Sequence, residues 1–485
     1  MKLSILVILF LFSPLVALGS DSSLLVRNVI IVDPSGETSQ DSHDIEIIDG
    51  RISRIGQQLK SQAQTLIDGT GTFVIPGLID SHVHIKSVPG AVLRKNSKEQ
   101  IDSLLNCNLG ILLAAGVTTV LDAASPESLL REAEVLNSGR NSPRILGLAP
   151  FLSPEKGYFT SSIERGHTYD DLWPAVRSAA ELSQMFSKAK TLHPVGAKVT
   201  IEKGMGPFEV FPAFSAEFRR EIQSQAKKAN LPLYVHSMSN EEHELALSLD
   251  PHAFVHAGYY DESPDESILR QILQKKTYVI TTAAIYKMML LMWDHSEMDS
   301  SWLRQLVPSQ QVASAMDQGL RTKVIEQMVL INKPWWIPGF VAKAMAPIFM
   351  NPNSIQKNLD NSLKALKQMH QIGIPLVAGS DSGNWPLWTS FFHGVGLIFE
   401  LELLEQADLS PLEILRTATT TPAKMFGLEQ DLGSLAPGKV ADMVFLKENP
   451  LNGMKALRQV KWTMRAGNLK SPSEWRNAAS SPACR

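Results

Sequence analysis

The chain has 485 residues, of which 44% are hydrophobic and 20% charged, and its net charge is -3 at pH 7. One ordinary core does not fill that length, so a large barrel-type domain with a smaller companion is expected, and the lack of any basic stretch excludes nucleic acid as a partner. The only cysteines, Cys107 and Cys484, exclude a disulfide framework and a thiolate metal site and leave a single bridge between them open.

The opening residues, "MKLSILVILFLFSPLVALGS", combine an early lysine, an apolar run broken by Pro14 and small residues at Ala17 and Gly19. This is the pattern of a signal peptide over residues 1–19, cut after Gly19. The apolar run is short for a bilayer span of about 20 residues, so a secreted or periplasmic chain without a transmembrane anchor after processing is expected. Short alternating strands follow in "SLLVRNVIIVD", in "HDIEIIDGRISRIG" with Asp49-Gly50 as a two-residue hairpin turn, and in "TLIDGTGTFVIPG". Strands of this kind return only in "GKVADMVFLKE" and "QVKWTMRAGNL", which predicts a small β-sandwich domain composed of residues 20–73 and 430–485.

Between these ends, over residues 74–429, apolar runs alternate with helical segments. The runs are Val74 to His84, Thr118 to Ala124, Arg144 to Leu152, Gly196 to Glu202, Leu231 to Ser237, Ala253 to Gly258, Tyr278 to Ala283 and Pro375 to Asp381. Eight such strands predict an α/β fold, a (β/α)8 TIM barrel, whose chemistry sits at the C-terminal strand ends. An apolar insertion of about 284–360 interrupts the spacing. Eight of the 17 Met and four of the nine Trp fall between Tyr286 and Met350. Such residues suit either an apolar lid over the barrel mouth or extra helices packed on the barrel, and the sequence leaves both open.

The run "VIPGLIDSHVHI" ends in two histidines. Strand alternation puts Asp80, His82 and His84 on one face, where a pair of imidazoles is either half of a metal site or two structural core histidines. At or near other strand ends stand His236 in "LYVHS", His256 in "FVHAG" and Asp381 in "AGSDSG", and Lys198 in "GAKVTIE" shares the inward face with Gly196 and Thr200. Imidazole and carboxylate are the ligands zinc takes where no thiolate is present. A buried lysine is costly as a cation, so it is either paired, with a carboxylate such as Glu202, or neutralised.

This series resembles the amidohydrolase superfamily, and "LELLEQADLSPLEILRTATTTPAKMFGLEQDLGSLAPGKVADMVFL" looks like the C-terminal signature of its imidazolonepropionase and prolidase-like branch. The resemblance implies metal ligation by His82, His84, Lys198, His236, His256 and Asp381, with Lys198 as a carbamate bridging two zinc ions and Asp381 as the catalytic base. It also implies water attack on an amide-type C-N bond of a small-molecule substrate, a dipeptide or an N-acyl amino acid. Where the family often has Glu before the strand-six histidine, this chain has Val255, so a partner for His256 has to come from elsewhere. Two alternatives stay open: a mononuclear cyclic amidohydrolase, imidazolonepropionase-like enzyme or deaminase in which Lys198 has no metal role, and a secreted binding protein without turnover. Substrate-binding residues are not fixed by sequence; Lys203, Tyr259, Tyr260 and Trp385 are positional candidates, and His393 a substrate-facing one. Nothing in the sequence sets an oligomeric state.

Overall fold

The computed structural model describes residues 23–36, 38–87, 89–90, 98–158, 160, 173–204, 210–256, 263–384 and 387–478. The expected leader, Cys484, Tyr259, Tyr260 and Trp385 lie outside them. Cys107 is buried and carries no free thiol.

Strands β6 (Leu78–Val83), β7 (Val117–Asp122), β8 (Arg144–Leu152), β9 (Gly196–Thr200), β10 (Leu233–His236), β11 (Ala253–Val255), β12 (Tyr278–Thr281) and β13 (Leu376–Ala378) form one parallel sheet in sequence order. Each falls inside one of the eight runs read from sequence or within a residue of it. The sheet closes on itself just past its last strand, where the Asp381 amide donates to His82 O at 2.8 Å and the His84 amide to Ser382 O at 2.9 Å. Alternation divides each strand between two environments. Ala197, Val199, Leu233, Val235, Phe254 and Val279 face the surrounding helices, whereas Leu148, Tyr234, Ala253, Val255, Ile280 and Val377 fill the barrel floor. Gly196 is required there, because a Cβ in its place would stand 2.5 Å from the Tyr234 ring. The floor is therefore a packed apolar plug, and polar side chains enter the barrel only above it.

The helices outside are built by familiar local rules. Helix Ala216–Ala229 is capped by Ser215, whose hydroxyl accepts from the Phe218 amide, and ends on Asn230 in the left-handed region. Helix Glu266–Gln274 buries Ile268, Leu269 and Ile272 at helical spacing, each worth about 1.5 to 3 kcal/mol of apolar burial.

The chain ends supply β1 (Ser23–Val32), β2 (Thr38–Ile48), β3 (Arg51–Gly56), β4 (Thr65–Asp68), β5 (Phe73–Pro76), β14 (Met443–Leu446), β15 (Val460–Arg465) and β16 (Asn468–Lys470). They form one continuous sheet in the order β16-β15-β14-β5-β1-β2-β3, with β4 also paired to β1. This single sheet folds back over a core of its own that includes Val26, Ile45, Val74, Phe445 and Met464, so the layering expected of a sandwich comes from one folded sheet. Its far ends meet at the Asp49-Gly50 turn. Gly50 has φ +79°, and a Cβ there would lie 2.6 Å from Ala466 O, so both the turn and the closure need glycine. Gly77 alone separates β5 from β6, so the small sheet runs directly into the barrel.

Candidate active site

The histidines and the aspartate above the floor come from the ends of four strands. His82 lies within β6 and His84 one residue past it, His236 ends β10, His256 follows β11, and Asp381 follows β13 by three residues. His256 (φ 75°) and Asp381 (φ 55°) both adopt left-handed backbone, which costs a non-glycine residue roughly 1 to 3 kcal/mol. In both cases the strand breaks and the side chain turns into the mouth. Lys198 pairs with Tyr234 and Thr200 with His236, so Lys198 starts one side-chain layer beneath His236.

The side chains converge. Asp381 Oδ1 stands 3.0 Å from His82 Nε2 and 3.2 Å from His84 Nε2, yet neither approach has hydrogen-bond geometry and the oxygen is buried without a donor. The His82 and His256 ring centres are 4.9 Å apart, and those of His236 and His256 4.6 Å. One ligand atom from each of His82, His256 and Asp381 lies within 4.8 Å of the others, so these three could hold a metal ion. His84 and His236 adjoin that group. Nitrogen and oxygen atoms that crowd together without hydrogen-bond geometry fit a divalent cation. The electrostatics fit as well: burial first, then the Lys198 charge, lowers His82 and His236 each to about 3, and the neutral imidazole is the form that ligates. Burial pushes the Asp381 carboxyl up, and the facing His82, His84 and His256 rings act in the opposite direction, toward the carboxylate.

Each member is oriented by a partner. His256 Nδ1 meets the Thr282 hydroxyl at 2.7 Å, which supplies the contact that Val255 cannot. His236 Nε2 meets Glu202 Oε2 at 2.8 Å, and Asn384 donates to Asp381 Oδ2 at 2.5 Å. Asp80 accepts from the Ser380 amide at 2.9 Å and from its hydroxyl at 2.6 Å, tying β6 to the turn that carries Asp381. Such contacts fix ring tautomer and orientation. Because Glu202 is engaged by His236, it does not pair with Lys198, which has no carboxylate at ion-pair distance among the described residues. Burial lowers the Lys198 ammonium to about 7. Lys203 pairs instead with Glu241 at 2.6 Å. His393 is buried, with Nε2 3.1 Å from Ser87 O, and the cavity lining does not include it.

Above the cluster opens a cavity of about 580 Å³, lined by His236, His256 and Asp381 at its base and by Ile285, Tyr286, Met289, Met328, Met345, Ile348 and Phe349 higher up. The insertion serves in both of the ways left open by its composition. Met288, Met292, Met298 and Trp302 pack into the main core, while helices Gln318–Asn332, Gly339–Phe349 and Pro352–Ile372 roof the mouth. The Tyr286 hydroxyl is buried with no hydrogen-bond partner and belongs to the lining; nothing in the periodicity of "YKMMLLMWD" separates it from a core tyrosine.

The model of the amidohydrolase family matches residues 73–470, the whole barrel and the returning strands. The chain belongs to the amidohydrolase family. Among curated relatives it is 28% identical over 144 residues to the N-acetylglucosamine-6-phosphate deacetylase of Lysinibacillus sphaericus, covering 28% of this chain and 35% of that one. It is 33% identical over 117 residues to the dihydroorotase of Streptococcus pneumoniae, covering 24% and 25% respectively. The chain thus spans about a third or less of the length of these two relatives. A solved Xaa-Pro dipeptidase with bound methionine superimposes with a TM-score of 0.69 at 18% identity, covering 93% of this chain and 100% of that one, a likeness of fold. The fold is accordingly shared over nearly the full length of both chains.

Proposed function

We propose that this amidohydrolase-family chain is an exported metal-dependent hydrolase of an amide-type C-N bond, acting on dipeptides or N-acyl amino acids with apolar side chains. The observation that carries the reading is the His82, His256 and Asp381 group at the base of an apolar cavity. The dipeptidase likeness in fold supports the substrate class. In this reading His82, His84 and Asp381 would hold one divalent ion and His236 and His256 a second, with Lys198, as a carbamate, supplying a further anionic ligand. Metal bound there supplies Lewis acidity toward the carbonyl and lowers the pKa of water. Asp381 takes the proton of the attacking water and passes it to the departing nitrogen. Glu202 and Thr282 hold the His236 and His256 rings. The cavity walls exclude water and accept the substrate's apolar group.

Tyr286 donates a hydrogen bond to the substrate carbonyl; its buried, unpartnered hydroxyl on the cavity wall supports that role. A Tyr286→Phe variant is then expected to lose about 10- to 100-fold in kcat with its thermal midpoint unchanged or raised, since an unsatisfied buried hydroxyl contributes nothing to stability. Unaltered turnover would assign the hydroxyl no part in the reaction.

Screening the purified, metal-supplemented protein against dipeptide and N-acyl amino acid libraries tests the whole proposal. Apolar side chains are expected to exceed charged ones by about tenfold or more in kcat/KM, because apolar side chains, Ile, Met, Phe and Trp among them, make up most of the wall and reward apolar burial; a strong preference for charged side chains would refute the apolar-pocket assignment. Export rests on residues 1–19, and N-terminal sequencing of protein from its native host is expected to read from near Ser20. A chain still starting at Met1 in the cytoplasm would contradict it. One observation favours the single-metal reading: among the described His, Cys, Asp and Glu residues, the only metal-sized group is that of His82, His256 and Asp381.

A further inference from the structure

Nine large hydrophobic side chains are exposed among the described residues, and five of them belong to one short stretch: Trp335, Trp336, Phe340, Ile348 and Phe349. Trp335 is 92% exposed and Phe340 77%. They occupy the turn after helix Gln318–Asn332 and the two ends of helix Gly339–Phe349. Ile348 and Phe349 also line the cavity, so the exposed cluster is continuous with the wall of the cavity that has His236, His256 and Asp381 at its base. Scattered exposed apolar residues need no explanation, but a cluster rimming a cavity mouth marks a surface that something apolar covers.

The charges around the patch say what covers it. Residues 327–359 contain Lys333, Lys343 and Lys357 and no Asp or Glu. Lys343 is paired with Glu326 at 3.2 Å, which leaves the stretch cationic overall. Tryptophan and phenylalanine edged by lysine is the composition that partitions into the headgroup layer of a bilayer, with the rings at the acyl boundary and the ammonium groups against anionic lipid. No helix among the described residues is long and apolar enough to cross a membrane, so the contact is peripheral.

We propose that this edge of the insertion docks the protein on an anionic lipid bilayer, with the cavity mouth facing the lipid, so that an apolar substrate group enters from the membrane surface. The docking does not depend on the reaction assigned above, because its test reads binding and not turnover. The full chain without its leader is floated with vesicles of phosphatidylcholine containing phosphatidylglycerol, and a Trp335→Ser, Phe340→Ser double variant is compared. Neither side chain belongs to the cavity lining. The wild type is expected to float with the vesicles and to be released by salt, and the double variant to partition at least about tenfold less at an unchanged thermal midpoint. No flotation of the wild type, or equal flotation of both, overturns the proposal. So does a wild-type dimer in sedimentation that the variant converts to monomer, since a second copy of the chain would then be what covers the patch.

Discussion

An Asp381→Asn variant is expected to lose about 10²- to 10⁴-fold in kcat, the range that a positioned proton acceptor contributes. Asparagine is close in size, retains an oxygen for Asn384, and tolerates left-handed backbone better than other non-glycine residues, which matters at φ 55°. The fold should therefore survive, and the change isolates the charge. Metal content measured on the same preparation separates the two duties of the carboxylate: turnover lost with metal retained assigns the proton role, and joint loss assigns ligation. Wild-type turnover in the variant would remove Asp381 from the mechanism.

Replacing Lys198 by Ala is expected to lower bound metal from two per chain toward one and to reduce kcat by about 100-fold or more. Removing a residue that only orients a ligand costs about 10- to 100-fold in metal affinity or activity, and a bridging anion has more to lose. What supports the carbamate is position. Lys198 is buried on the interior face of β9, its expected partner Glu202 is bonded to His236, and burial disfavours its cation, leaving an amine free to react with carbon dioxide. Short carboxylic acids added to the variant should restore part of the turnover by filling the vacated space. The single-metal reading expects one metal in both proteins and no response to carboxylate. Two metals retained in a fully active variant would exclude the bridge.

The eight barrel strands were legible because each is a short apolar run bounded by turn-forming residues, and because a count of eight admits few closed solutions. Strand parity put Lys198 inward and Ala197 and Val199 outward, as observed. The histidines and Asp381 could be named because strand ends are visible in the sequence, and a barrel brings its strand ends together. Their partners could not be named. Asp80 meets Ser380 across 300 positions, Glu202 chooses His236 over Lys198, and Thr282 stands in for the acid missing at Val255; each choice is made by register around the closed sheet, which no local pattern encodes.

The insertion marks the same boundary. Its composition determines that a large apolar surface exists, but Trp302, buried against Phe399, and Trp335, almost wholly exposed, look alike in the sequence. Burial depends on what the rest of the chain brings alongside, and only the tertiary structure decided which half of the insertion packs on the barrel, which half roofs the cavity, and which rings remain outside.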